Sequence, residues 1–135
     1  MLAEKGRVVL VIEDDHRVRQ FITEALTRIG YEVRCVPTVG SAATLLKSER
    51  PDVILIDLGL PDAAGTSTLD WLQTIRPGVP IVVVTGNRDE EVARRMLNAG
   101  ASDYINKPFS VERLAQAIAA AIGSRRESDV HRDTV

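Results

Sequence analysis

A single cysteine, Cys35, occurs in the 135 residues, so no intrachain disulfide can brace the fold. Within the stretch Val33–Val36 it reads as a small buried side chain rather than a reactive thiol. Long apolar runs are missing as well; none approaches the ~20 residues of a membrane span. The opening MLAEKGRVVLVIEDD has one brief apolar run ended by acids, which is not the pattern of a signal peptide. A soluble cytoplasmic protein without membrane contact is therefore expected. Charge of one sign is scarce: a net −2 supplies no global attraction to nucleic acid or to an anionic surface. With two histidines and one cysteine, a zinc site of thiol or multi-histidine type is excluded. There is no solenoid-type repeat, no low-complexity tract and no DNA-binding helix-turn-helix, so direct action on nucleic acid is not expected.

What is present suits one globular domain. A chain of this length buries roughly 65–70% of its unfolded surface and needs neither disulfide nor structural metal to fold. Five short runs of β-branched and aliphatic residues recur: Arg7–Ile12, Glu32–Val36, Val53–Asp57, Ile81–Thr85 and Asp103–Asn106. RVVLVI, DVILID and IVVVT are continuously apolar, as in parallel strands buried on both faces. Helical spacing fills the intervals. His16–Ile29 carries a stripe of Val18, Phe21, Ile22, Ala25, Leu26 and Ile29 that Gly30 terminates. Ser41–Lys47, starting near Thr38, is a short helix. Leu69, Leu72 and Ile75 mark a third that ends before Pro77. Glu90–Ala99 has Val92, Ala93, Met96 and Leu97, with Gly100 closing it. The last helix is capped by Ser110, without a capping box, and runs to about Ile122. Residues 1–123 then form the domain, and the polar stretch 124–135 reads as a disordered tail or linker stub.

Five β–α units with short connections predict an α/β fold with a doubly wound parallel sheet, since a closed barrel needs eight units. Ligands of such sheets gather at the carboxyl ends of the strands. The polar residues fall there: Glu13-Asp14-Asp15 after strand one, Asp57 ending strand three, Thr85 ending strand four, and Asn106-Lys107-Pro108 at strand five. Two carboxylates ~4 Å apart repel by roughly 4 kcal/mol at an effective dielectric of ~20. Lys107 offsets one charge; the remaining hard oxygen donors suit Mg²⁺ or Mn²⁺. The set fits phosphoryl transfer. Asp57 is a carboxylate nucleophile, the cation is held by Asp14 and Asp57 with Glu13 nearby, and Lys107 and the Thr85 hydroxyl pair with phosphoryl oxygens. Asp15 reads as the cap of the first helix, and His16 as a solvated helix residue. Arg94 and Arg95 read as a solvated face, and Trp71 as a partly exposed aromatic packed on its neighbours.

VLVIEDD, PDVILIDLGLPDAAG, IVVVTG and GASDYINKPF together resemble the motif set of the response-regulator receiver family, of the CheY-like type, over roughly Arg7 to Ile122. The resemblance implies a flavodoxin-like (βα)5 sheet of order 2-1-3-4-5. It implies that Asp57 takes its phosphoryl group from a phosphohistidine on a sensor histidine kinase or a histidine phosphotransfer protein. Asp14 matches the direct metal ligand and Glu13 a partner acting mainly through water. Gly59 matches the position whose main-chain carbonyl completes the metal shell. Thr85 and Tyr104 match the switch pair, and the Lys107–Pro108 bond is expected to be cis. Output is expected at the face of the fourth helix, fifth strand and fifth helix, read by a downstream protein target, the chain being a monomer or a phosphorylation-dependent dimer. Gly59 and Asn87 depart in detail, at positions that tune water's access to the acyl phosphate.

Three other readings compete. A phosphoaspartyl hydrolase would place its nucleophile on strand one and have a second aspartate two residues on. A flavin module needs a Gly/Ser/Thr-rich phosphate loop where Glu13-Asp14-Asp15 stands. A non-phosphorylated interaction module leaves the acid, hydroxyl and lysine set unexplained.

Overall fold

Alternation along each strand decides what lies on which side of the sheet. A computed structural model describes residues 6–133, and the side chains of residues 6–124. Its elements are β1 (Val8–Ile12), α1 (His16–Ile29), β2 (Glu32–Val36), α2 (Val39–Leu46), β3 (Val53–Asp57), α3 (Thr66–Ile75), β4 (Ile81–Thr85), α4 (Glu90–Asn98), β5 (Asp103–Asn106) and α5 (Val111–Asp133). The strands form one parallel sheet of order β2-β1-β3-β4-β5, the flavodoxin-like arrangement. Leu10, Ile12, Ile54, Ile56, Ile81 and Val83 face α2, α3 and α4, where Ala42, Leu46, Leu69, Leu72 and Met96 meet them. Val9, Val11, Val53, Leu55, Val82 and Val84 face the other way, onto Ile22 and Leu26 of α1 and Leu114 and Ile118 of α5. Central β3 and β4 are buried at every residue, which is why their sequences do not alternate. Edge strand β2 alternates and leaves Cys35 only partly buried, against the expectation of full burial; its Sγ lies 3.1 Å from Thr23 Oγ1.

Local signals account for most helix ends. Asp15 Oδ1 accepts the N–H groups of Arg17 and Val18, so it caps α1 as expected. Gly30 stops the helix at φ 118°, a left-handed conformation that glycine adopts without cost from a Cβ. Thr38 and Ser41 form a reciprocal capping box, so α2 starts at Val39, next to Thr38 as expected. Ser110 Oγ accepts the N–H of Arg113 at the start of α5.

Three expectations are corrected. The last helix does not end at Ile122: the main chain continues helical through Gly123 to Asp133. The residues that follow Ile122 include no proline, so nothing in the main chain forces the helix to stop there. The expected tail 124–135 is thus helical in its main chain to Asp133, and residues 134–135 lie outside the described part. So do residues 1–5, on which the reading of the N-terminus rests. The other two corrections concern stripes. Phe21 and Leu97, counted with the apolar faces of their helices, are 45% and 47% exposed, while Ile22 and Met96 beside them are buried. Trp71 is 38% exposed, in keeping with its place off the stripe of α3. Among the described residues no helix is long and apolar enough to cross a membrane.

Candidate functional site

Parallel strands end together, and the ends of β1, β3, β4 and β5 bring four distant stretches of chain to one edge. Lys107 joins two of them directly. Its Nζ donates to Glu13 Oε1 at 2.8 Å and to Asp57 Oδ2 at 2.9 Å. Glu13 and Asp57 are buried, 2% and 8% exposed, so neither carboxylate is shielded by bulk water. Burial pushes the Glu13 carboxyl above its ordinary value and the neighbouring Asp57 charge adds to this, although the Lys107 hydrogen bond opposes it. For Lys107 burial would lower the ammonium, but hydrogen bonds to Glu13 and Asp57 outweigh that and raise it. Lys107 stays charged because it is the bridge between two acids. The Lys107–Pro108 bond is cis, as expected.

Carboxylate oxygens of Glu13, Asp14 and Asp57 lie within 4.8 Å of one another. Glu13 and Asp57 come from the interior, and Asp14 stands exposed at the mouth. Three carboxylates against one ammonium leave an excess of negative charge on hard oxygen donors, a fit to a divalent cation such as Mg²⁺. Gly59 contributes a close approach: its N–H donates to Asp57 Oδ1 at 2.8 Å, and a Cβ there would come within 3.2 Å of that oxygen. The two oxygens of Asp57 therefore have different partners, Gly59 on one and Lys107 on the other.

Thr85 is 4% exposed, and its Oγ1 accepts the N–H of Asn87 at 3.1 Å. The hydroxyl is engaged as an acceptor there, which leaves its own proton for another partner. Tyr104 donates from its hydroxyl to the Asn87 carbonyl at 3.0 Å, and Asn106 Nδ2 donates to the same carbonyl at 2.7 Å. Burial raises the Tyr104 phenol, with a hydrogen bond from the Thr85 side opposing it. The expected switch pair thus meets through the loop after β4. Beside Lys107 an open groove of about 450 Å³ is lined by Arg17, Val18, Phe21, Pro108 and Phe109, with the rings of Phe21 and Phe109 tilted at 6.3 Å.

The response regulator receiver domain matches residues 9–119 of this sequence. The chain belongs to the response-regulator receiver family. As a receiver domain it has the phosphoacceptor role of two-component signalling. The domain is 36% identical over 110 residues to the transcriptional regulatory protein KdpE of Staphylococcus aureus, aligning 82% of this chain with 47% of that protein. It is 34% identical to the DNA-binding transcriptional regulator NtrC of Proteus hauseri over 92% of this chain and 26% of that one. The receiver domain spans about half, or less, of the length of these curated relatives. Among solved structures, the CheY-like receiver domain protein of Methanospirillum hungatei JF-1 superposes with a TM-score of 0.84 at 30% identity, covering 92% of this chain and 99% of that one. NtrX of Brucella abortus gives 0.89 at 25% identity, over 96% of this chain and 30% of that one.

Glu13, Asp14, Asp57, Gly59, Thr85 and Lys107 lie at this edge of the receiver domain, while Tyr104 stands inside β5, opposite Val83, and reaches the loop after β4 through its hydroxyl. Two contributors were not foreseen. Arg19 Nη1 donates to the carbonyls of both Glu13 and Asp14 at 2.9 Å. Asp62 accepts the N–H groups of Val39 and Gly40, tying the loop after β3 to the start of α2. Both act on main chain, and a residue's type says nothing about which distant main-chain group it will meet.

Proposed function

We propose that Asp57 is the phosphoacceptor of this receiver domain and takes its phosphoryl group from a phosphohistidine of a histidine kinase or histidine phosphotransfer protein. The observation that carries this reading is the Lys107 bridge between Glu13 and Asp57 with Asp14 beside them. An Asp57 oxygen attacks phosphorus, the O–P bond forms as the P–N bond breaks, and the imidazole nitrogen leaves with the bonding pair and takes up a proton. Asp14 and Asp57, with Glu13 and the Gly59 carbonyl in support, would hold Mg²⁺ or Mn²⁺, which when bound would neutralise charge on the transferring group. Lys107 turns from Asp57 to pair with a phosphoryl oxygen, and the Thr85 hydroxyl turns to donate to another. The groove beside Lys107, with Phe21 exposed, supports an approach by the donor protein from the side of α1.

The phosphoryl group adds about −1.5 to −2 charges. Drawing Thr85 toward it shifts Asn87, and with Asn87 the hydroxyl of Tyr104; the surface of α4, β5 and α5 changes and a downstream protein target reads it. Such a target must bind the two states differently. Output is through protein contact, including a phosphorylation-dependent dimer, with no direct nucleic-acid contact by the receiver itself. A cytoplasmic setting, with kinase and Mg²⁺ at hand, is part of the same reading.

The test is incubation with acetyl phosphate and Mg²⁺, followed by intact mass. The wild-type chain is expected to gain one phosphoryl group and Asp57→Ala none. An unlabelled wild-type chain, or equal labelling of Asp57→Ala, overturns the assignment.

A further inference from the structure

Arg19 lies in the second turn of α1, partly buried, and bonds to nothing that the phosphoacceptor reading requires of it. Among the described residues its Nη1 pairs with no carboxylate; it donates at 2.9 Å to the carbonyls of Glu13 and of Asp14, two successive residues. Neighbouring carbonyls that converge on one point repel each other as dipoles, and a turn of that shape needs a strong donor between them. A guanidinium supplies it with charge, which makes such bonds roughly twice as strong as neutral ones. Elsewhere in the loop the Glu13 N–H donates to the Val36 carbonyl at 3.1 Å and the Asp15 N–H to Glu13 Oε2 at 3.3 Å, neither of them charge-assisted by a cation. Glu13 is also held through its side chain by Lys107. Asp14 is exposed and has no wall of packed side chains to direct it, so the direction of its main chain decides where its carboxylate points.

We propose that Arg19 is a positioning residue for the cation site, clamping the main chain of Glu13 and Asp14 so that their carboxylates converge with that of Asp57. The inference rests on the reading that these three acids hold a divalent cation. Charge and positioning act with opposite signs here. Arg19 brings a positive charge to the main chain of two of the three acids, so through Coulomb's law its removal tightens binding of Mg²⁺. Through loss of the clamp its removal loosens binding, as disturbance of the groups that orient metal ligands does.

The experiment is calorimetric titration of MgCl₂ into the full chain, R19M, R19K and D14A, with a thermal melt of each. R19M is expected to weaken Mg²⁺ binding by about tenfold, the low end of what loss of ligand-orienting contacts costs a metal site. R19K keeps the charge but lacks the planar fork, and falls between wild type and R19M. It also stands as the informative variant if R19M does not fold. Affinity in R19M equal to or tighter than wild type overturns the proposal, as does a lowered melting temperature with unchanged Mg²⁺ affinity. A wild-type chain that takes up no more Mg²⁺ than D14A overturns the cation site itself and the clamp with it.

Discussion

The Tyr104 hydroxyl donates to the main-chain carbonyl of Asn87 at 3.0 Å, tying β5 to the loop that follows β4. Asn106 donates to the same oxygen at 2.7 Å, so removal of the phenol leaves that carbonyl satisfied. Tyr104→Phe is therefore expected to cost about 0.5–1 kcal/mol, the net worth of one hydrogen bond, and not the larger penalty of an orphaned acceptor. Denaturant melts measure this, and labelling by acetyl phosphate should persist. A loss beyond about 2 kcal/mol would mean that Tyr104 holds the loop by more than this contact.

Lys107→Met leaves Glu13 and Asp57 facing each other, both buried, without a counter-ion. Breaking a buried pair in this way costs about 3 kcal/mol. That loss is expected at neutral pH in EDTA, with part of it restored by millimolar Mg²⁺, and labelling by acetyl phosphate should fall sharply. Melts of equal midpoint for wild type and variant in EDTA would contradict the bridge.

Asp103 gives a pH-dependent term. Burial alone would raise its carboxyl, but the paired bonds from Arg113 at 2.9 and 3.0 Å and the N–H of Tyr104 at 2.7 Å outweigh that and hold it below its ordinary 3.8. A folded pKa below the unfolded one means the stabilisation is fully present above the ordinary aspartate range and is lost as pH falls through the depressed value. The melting-temperature gap between wild type and Arg113→Met should accordingly be constant near neutrality and close as pH drops below about 4. Both side chains are partly exposed, 33% and 40%, so the gap is small and shrinks with salt. A gap that widens on acidification would reverse the assignment.

Gly59 lies against Asp57, where a Cβ would crowd Oδ1 at 3.2 Å, and Asn87 follows Thr85, its N–H on the Thr85 Oγ1. Gly59→Arg and Asn87→Glu are expected to change the half-life of the phosphorylated protein by about 3- to 10-fold, under ~1.4 kcal/mol in barrier, while phosphorylation itself persists. Decay of the labelled mass over time measures it; identical half-lives in all three proteins would refute the idea.

Some of this was legible before any coordinates. β2, β3, β4 and β5 match their sequence-derived bounds, because short apolar β-branched runs between turn residues leave little choice of end point. α1 matches too, since Asp15 and Gly30 punctuate it with chemistry that acts within a few residues. The failures share a cause. Phe21 and Ile22 are equally apolar neighbours on one stripe, yet only Ile22 is buried: Phe21 faces Phe109 across an open groove. Met96 and Leu97 part in the same way on α4. Helical periodicity locates a face to within about one residue's rotation of 100°, and the neighbour that covers the face settles the rest.

The amino-acid sequence alone determined the order of elements, the family, and the set of side chains able to do phosphoryl chemistry. Each of those rests on patterns spanning a few residues or on motifs in fixed succession. Tertiary structure alone decided that Lys107 meets Glu13 and Asp57, 94 and 50 residues away, that Arg19 clamps the acidic loop, and that Asp62 ties the loop after β3 to α2. Contacts at that separation depend on strand order and on which carbonyls and amides a packed loop leaves unpaired. Local sequence carries no trace of either until the sheet has assembled.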